Sequence, residues 1–319
     1  MTEKNKITLS CRVDAYRSGW SVVDFLAHRF RYHTSERWAT RVTDGWVLVN
    51  GSQIRPDHVV HKDDLISYTI FHTEPEVDFR YDIVYEDDYL LAVSKSGNIP
   101  VHACGVYIRN TLIATLKNIY GDHLNLAHRL DKETSGVVLL SKNPETARVL
   151  GKMFAEGKVK KTYMAVVHGR LREKTLEINA PIGKTMDEAT GRFDELDSDL
   201  SCDLPRYVPR RHVDFERGKP AVTRIEVERH MGDYTVVRAV PLSGRTNQIR
   251  VHLDYIGHPI VGDKVYGPAS SEGKPLRINR QALHCGELRF AHPVTQRLMQ
   301  LAAEVPEDIA ELVSRLAVR

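Results

Sequence analysis

Only four cysteines, Cys11, Cys104, Cys202 and Cys285, occur in 319 residues, and no two form a Cys-x-x-Cys pair. That spacing gives neither a disulfide framework nor a structural zinc site, so all four read as free thiols. Fifteen histidines include no His-Glu-x-x-His or comparable ligand pattern, and no metal is expected. Gly-x-Gly-x-x-Gly, Walker-type phosphate loops and Gly-x-Ser-x-Gly elbows are missing too. Dinucleotide, nucleoside triphosphate and serine-hydrolase readings thereby lose their usual support, and no cofactor is expected. Residues 1–10 are polar and nothing later forms a long apolar run, which leaves no signal peptide or spanning helix and makes the cytoplasm the expected location. An excess of one charge is lacking as well: 45 basic residues face 42 acidic ones for a net +3. Such a balance permits nucleic acid without demanding it.

What is present is ordinary hydrophobic content, 42%, in a chain long enough for one large domain and one small one. Ser21 and Asp24 are placed as a capping box before Val22, Phe25, Leu26 and Phe30 at helical spacing. A second short helix is predicted at 36–42, then a strand ending in Asn50-Gly51, a hairpin signal, and a further strand at 65–71. Around 72–80 periodicity fades into a proline-containing acidic linker, so the boundary is placed between 1–75 and 76–319. Arginines cluster early in the small segment, from Arg29 to Arg41, giving either a phosphate-contacting face or a merely solvated one.

In the larger segment two strands flank the acidic turn 86–88, and helices are predicted at 110–120 and 144–156. Residues 183–218 are poor in apolar side chains and read as a loop insertion. Between the apolar runs 124–127 and 137–140 lies His128-Arg129-Leu130-Asp131-Lys132-Glu133-Thr134-Ser135-Gly136. This reads as strand, exposed polar turn, strand. Asp131, bracketed by Arg129 and Lys132, stays ionised at neutral pH, as a nucleophile or base requires. Spacing alone equally allows Asp131 to cap the turn.

Two further stretches carry chemistry-bearing residues. Lys161-Thr162-Tyr163-Met164-Ala165 is a β-branched and aromatic strand, where a tyrosine is most often core. Ser243-Gly244-Arg245-Thr246-Asn247-Gln248-Ile249-Arg250 opens a helix whose expected core stripe is Ile249, Leu253 and Ile256. Arg250 then falls off the stripe, free for an i,i+4 pair with Asp254.

Together these strings resemble the motifs of the RluA-type pseudouridine synthases, over roughly residues 80–300 and in the family's order. The departures are Ser94-Lys95-Ser96 where relatives carry Asn-Lys-Pro, and Asn247 where they usually have histidine. The likeness implies an α+β fold with a mixed, mostly antiparallel central sheet flanked by helices. Ahead of it, residues 1–75 resemble a small ribosomal-protein-like RNA-binding domain.

The implied activity is isomerisation of uridine in ribosomal or transfer RNA to pseudouridine, by a monomer without cofactor or membrane attachment. Asp131 matches the essential aspartate, Arg250 its arginine partner and Tyr163 the tyrosine that stacks on uracil. Arg129 matches the residue that helps displace the base, and His128, Thr134, Arg245 and Asn247 are the further substrate-contact candidates. Whether Asp131 attacks the sugar or acts as a base stays open. Two alternatives remain: an RNA-binding or ribosome-assembly protein without catalysis, and a hydrolase using Ser135 with a histidine.

Overall fold

The computed structural model describes residues 6–30, 33–71, 74–184, 210–268 and 278–317. The chain divides into two compact units at Pro75 and Glu76.

In the smaller unit, β1 (Lys6–Arg12) adds a strand to the elements read from sequence. Its signal is the alternation of Ile7, Leu9 and Cys11 with polar neighbours, masked by the overall polarity of the segment. Ser21 Oγ accepts the Asp24 N–H and starts α1 (Val22–Arg29), and Thr34 does the same for α2 (Ser35–Thr43). β2 (Val47–Val49) and β3 (Ser52–Gln53) join through Asn50 and Gly51, with φ of 49° and 80°. Left-handed backbone at both positions is what Asn-Gly supplies to a two-residue hairpin. β4 (Leu65–Phe71) pairs with both β1 and β2, and Phe25, Leu26, Trp38, Ile66 and Ile70 fill the core without exposure. Arg29 and Arg37 stay exposed, whereas Arg41 is buried and donates to the Thr69 carbonyl. The early arginine cluster therefore does not all face solvent.

The larger unit runs β5 (Tyr81–Glu86), β6 (Leu90–Lys95), α3 (Leu112–Tyr120), β7 (Asn125–Leu126), β8 (Ser135–Ser141), α4 (Pro144–Ala155) and β9 (Lys160–His168). It continues with β10 (Thr175–Asn179), β11 (Ile182–Lys184), β12 (Arg211–Val213), β13 (Val222–Met231), β14 (Tyr234–Pro241) and α5 (Gln248–Tyr255). β15 (Leu283–Ala291), β16 (Leu298–Ala302) and α6 (Glu307–Ala317) complete it.

Its main sheet has the order β10-β13-β14-β9-β15-β8-β6-β5, with β16 on β15 and β7 on β8. Every pairing in it is antiparallel except β8 with β15. This is the mixed, mostly antiparallel sheet that the motifs imply. All seven residues of β8 are buried, which is why its apolar run is continuous instead of alternating. No helix among the described residues is long and apolar enough to cross a membrane.

Three local differences from the sequence reading have clear causes. α3 is capped by Thr111, not Asn110, and Ile119 is 63% exposed because the helix buries only the face of Leu112 and Leu116. The ends of the 183–218 stretch are regular, since β11 and β12 pair antiparallel; residues 185–209 lie outside those described. α5 is buried from Gln248 through Leu253, so its Arg250 is no surface residue.

Candidate active site

The connection between β7 and β8 presents Asp131, and its backbone is fixed at successive peptide carbonyls. The Asp131 carbonyl accepts the Thr134 N–H at 3.1 Å and closes the turn. Lys95 Nζ donates to the Lys132 carbonyl at 3.0 Å, and Arg280 Nη1 to the Glu133 carbonyl at 3.0 Å. Gln281 Nε2 donates to Thr134 Oγ1 at 2.7 Å. The backbone thus takes the capping task that the local sequence had also allowed the carboxylate. Asp131 Oδ2 instead accepts from Arg250 Nη1 at 3.0 Å, with 27% of the side chain left open to solvent.

Arg250 reaches the carboxylate from α5 and is aimed by a second acid. Its Nε and Nη2 donate to Asp263 Oδ2 and Oδ1 at 2.6 and 2.9 Å, a bidentate fork on a carboxylate with no exposure. Asp263 Oδ1 also accepts the N–H groups of Val265 and Tyr266. Burial disfavours the Arg250 cation, but hydrogen bonds and charge from Asp263 and Asp131 outweigh it and raise its pKa. The pull of Arg250 and those backbone bonds likewise overcomes burial to keep Asp263 below the usual carboxylate range. The guanidinium lies 5.0 Å from the centre of the Tyr266 ring. The surface pair with Asp254 that the sequence allowed gives way to this buried one. An amphipathic pattern assumes one wet face, and α5 has none over its first six residues.

Tyr163 stands on β9, and register ties it to the Asp131 turn. Cys285 of β15 pairs with Tyr163 on one side and with Gly136, at the start of β8, on the other. Gly136 has φ of +115°, and a Cβ there would lie 2.2 Å from the Cys285 carbonyl oxygen, so only glycine allows the two strands this approach. The Tyr163 ring is 8% exposed. Burial first, then Cys285, then the charge of Asp131 raise its pKa well above the usual phenol value, so the hydroxyl is neutral.

Lys95 and Arg280 carry functions that sequence reading does not assign. Lys95 is 1% exposed, and burial followed by the nearby Arg280 cation lowers its pKa to about 7, with Asp131 pulling the other way. Arg280 is in turn held by Asp308 of α6 through bonds of 2.6 and 2.7 Å. Lys95 sits in the departure Ser94-Lys95-Ser96, and the cue for Arg280 was its place just before β15. Their only local hydrogen bonds among the described residues go to the carbonyls of the next residue, Ser96 for Lys95 and Gln281 for Arg280, so no local pattern reveals them.

The other expected site residues separate into two groups. Arg129 is exposed beside Asp131's turn, with Nη1 2.9 Å from His102 Nε2, and Arg245 is exposed with Nε on the Pro220 carbonyl. These two can meet substrate. His128 instead accepts the Leu139 N–H through Nε2 and stacks on Phe154 at 5.0 Å, and burial lowers its pKa to about 3. Thr134 is 2% exposed and spent on Gln281, while Asn247, in left-handed backbone, donates to the Tyr266 hydroxyl at 3.2 Å. These three are each engaged in contacts within the protein. Ser135 does pair with a histidine, His284, at 3.0 Å. Both are 1% exposed and the other ring nitrogen of His284 faces the Ala303 carbonyl, an arrangement no ester can reach.

Comparison with known proteins gives this geometry a frame. Residues 89–255 match the family model described as RNA pseudouridylate synthase. The chain is similar to an uncharacterized RNA pseudouridine synthase of Bacillus subtilis, 34% identical over 290 residues, 86% of this chain and 87% of the relative. It is also similar to a dual-specificity RNA pseudouridine synthase of Pasteurella multocida, 36% identical over 241 residues, 75% of this chain and 97% of the relative. Among solved structures, human RNA Pseudouridylate Synthase Domain Containing 1 superposes with a TM-score of 0.55 at 26% identity, covering 77% of this chain and 98% of that one.

Proposed function

Because the chain belongs to the RluA-type RNA pseudouridine synthases and isomerises uridine to pseudouridine in RNA, we propose that Asp131 is its catalytic residue and that its substrate is ribosomal or transfer RNA. The observation that carries this reading is the single hydrogen bond from the doubly held Arg250 to a carboxylate that stays partly open.

Isomerisation cuts the uracil from its sugar, turns it and rejoins it through a ring carbon, with no net oxidation. The protein must therefore supply an ionised group at the sugar, a surface that holds the freed base, and exclusion of water. Asp131 is the carboxylate that serves at the sugar, aimed by its hydrogen bond from Arg250. Tyr163, neutral and two strands from Gly136, packs on the uracil ring. A stacked uridine reaches such a turn only when flipped out, at a cost of a few kcal/mol. Arg129, exposed and three residues along the chain from the buried Lys132 carbonyl contact, fills the gap left behind. Residues 1–75 contribute phosphate contacts through Arg29 and Arg37, and the enzyme works as a cytoplasmic monomer.

The deciding experiment uses unmodified transcripts whose uracils carry tritium on the carbon that becomes the new attachment point. Wild-type protein releases label to water and Asp131→Asn does not. Equal release by both would remove Asp131 from the mechanism.

A further inference from the structure

β9 carries a cation to which the chemistry above gives no task. Lys161 lies two residues before Tyr163. The irregularity in the β9–β15 pairing inserts Gly286 into β15 and leaves β9 regular, so the Lys161 and Tyr163 side chains share a face of the sheet. The Lys161 Nζ stands 5.9 Å from the centre of the Phe154 ring of α4. A Cβ added at Gly244, in the loop leading into α5, would lie 3.8 Å from that nitrogen. The ammonium is therefore bounded by α4 on one side and by the approach to the Arg250 helix on the other.

Lys161 is half-buried and unmatched: among the described residues its Nζ makes no hydrogen bond and no ion pair. Burial lowers its pKa. Cys285, the one group acting the other way, has a thiol itself pushed up to about 12 and carries no charge at neutral pH. A cation sheltered from water without an anion is a cost to the fold, and a methionine of similar length would lie on Phe154 without it. An ammonium kept in such a place has its use with a negative charge that arrives later.

Isomerisation produces such a charge. By either route at the sugar, the C1′–N1 bond breaks with its electron pair leaving on the uracil, and the freed base is an anion whose charge spreads over N1 and both carbonyl oxygens. The charge is spent when C5 bonds to C1′; C5 then gives its proton to water while N1 takes one up. A neutral uracil offers a cation little, so a cation beside it acts chiefly on the state in which the bond is broken, as catalysis requires. A backbone phosphate, the other anion of RNA, is charged throughout and suits the exposed Arg129 and Arg245.

We infer that Lys161 is a further catalytic residue: its ammonium meets the edge of the uracil held on Tyr163 and stabilises the negative charge that the base carries between cleavage and reattachment. The inference rests on Tyr163 packing on the uracil. It holds whether Asp131 attacks the sugar or acts as a base.

The test compares full-length wild type with Lys161→Met in single-turnover reactions on ribosomal and transfer RNA transcripts containing uridine or 5-fluorouridine, whose base leaves more readily as an anion. The rearranged nucleoside is measured by mass spectrometry. On uridine transcripts Lys161→Met is expected to lower the rate at saturating protein roughly a hundredfold, with the half-saturating concentration little changed and the thermal midpoint at or above that of wild type. On 5-fluorouridine transcripts the loss is expected to shrink to about tenfold, because a base that carries its charge more easily needs the ammonium less. Lys161→Arg is expected to recover part of the rate. Equal losses on the two bases overturn the inference, as does weaker binding with an unchanged saturating rate, the mark of a phosphate contact. Asp131 is intact throughout, so either result is separable from tritium release that survives Asp131→Asn, which would count against the catalytic aspartate alone.

Discussion

Arg250 gives two of its three guanidinium nitrogens to Asp263 and one to Asp131. The partner with more bonds is the wholly buried one, and the partner with fewer is the one left partly open to solvent. An arginine anchored in this way points a fixed positive charge at a carboxylate without covering it.

Removing the anchor has a definite cost. Arg250→Met strands Asp263 as a buried charge, and the expected loss of stability is about 3–5 kcal/mol. Urea denaturation measures it, and adding Asp263→Asn is expected to restore part of the midpoint but none of the tritium release. A midpoint equal to wild type would show that the pair is not buried in solution. Arg250→Lys should also fail in catalysis, because one ammonium cannot fork onto Asp263 and reach Asp131 at once.

Stability should depend on pH through Lys95. Its pKa of about 7 in the fold lies below the value of an unfolded lysine, so between the two the folded state binds fewer protons. Stability therefore rises as pH climbs from about 7 toward about 10, by at most about 1.4 kcal/mol per pH unit from this group. Lys95→Met, close in shape, is expected to lose that rise. Parallel slopes for the two proteins would contradict the assignment.

Arg280 is a positioning residue, since it touches the Glu133 carbonyl and not the reacting atoms. Misplacing a catalytic group by an ångström can lower a rate about a hundredfold. Arg280→Met should therefore depress kcat by about that factor while KM moves little, and Arg280→Lys should recover part of kcat. A change in KM alone would place Arg280 in substrate binding instead.

Gly136→Ala brings a Cβ against the Cys285 carbonyl in a backbone region that alanine avoids. The expected loss exceeds about 3 kcal/mol, seen as failure to accumulate folded protein. A well-folded variant with full activity would show that β8 and β15 can separate freely.

Much of this was legible in the chain. Asn50-Gly51 specified its hairpin, Ser21 and Thr111's neighbourhood marked helix starts within a residue, and the 128–136 string located the Asp131 turn. Arg250 was found through its motif, yet its burial was not, because helical periodicity cannot see elements that cover a helix from its second side. Asp263, Lys95 and Arg280 act through partners 13, 37 and 147 residues away, and sequence spacing holds no information on such pairs. β10, β15 and β16 were not drawn as strands for a similar reason: a strand is stabilised by neighbours that the chain supplies elsewhere.

The parallel register of β8 and β15 joins Ser135 to His284, 149 residues apart. Contacts of such long separation form late, after the loop between them has closed. The Asp131 turn is accordingly held in part by side chains that the polypeptide supplies only at Arg280 and Gln281, themselves tied to Asp308 of α6 through Arg280. A loop pinned from so far along the chain is set only once β8 and β15 lie side by side, so its rigidity reports that the centre of the sheet has closed.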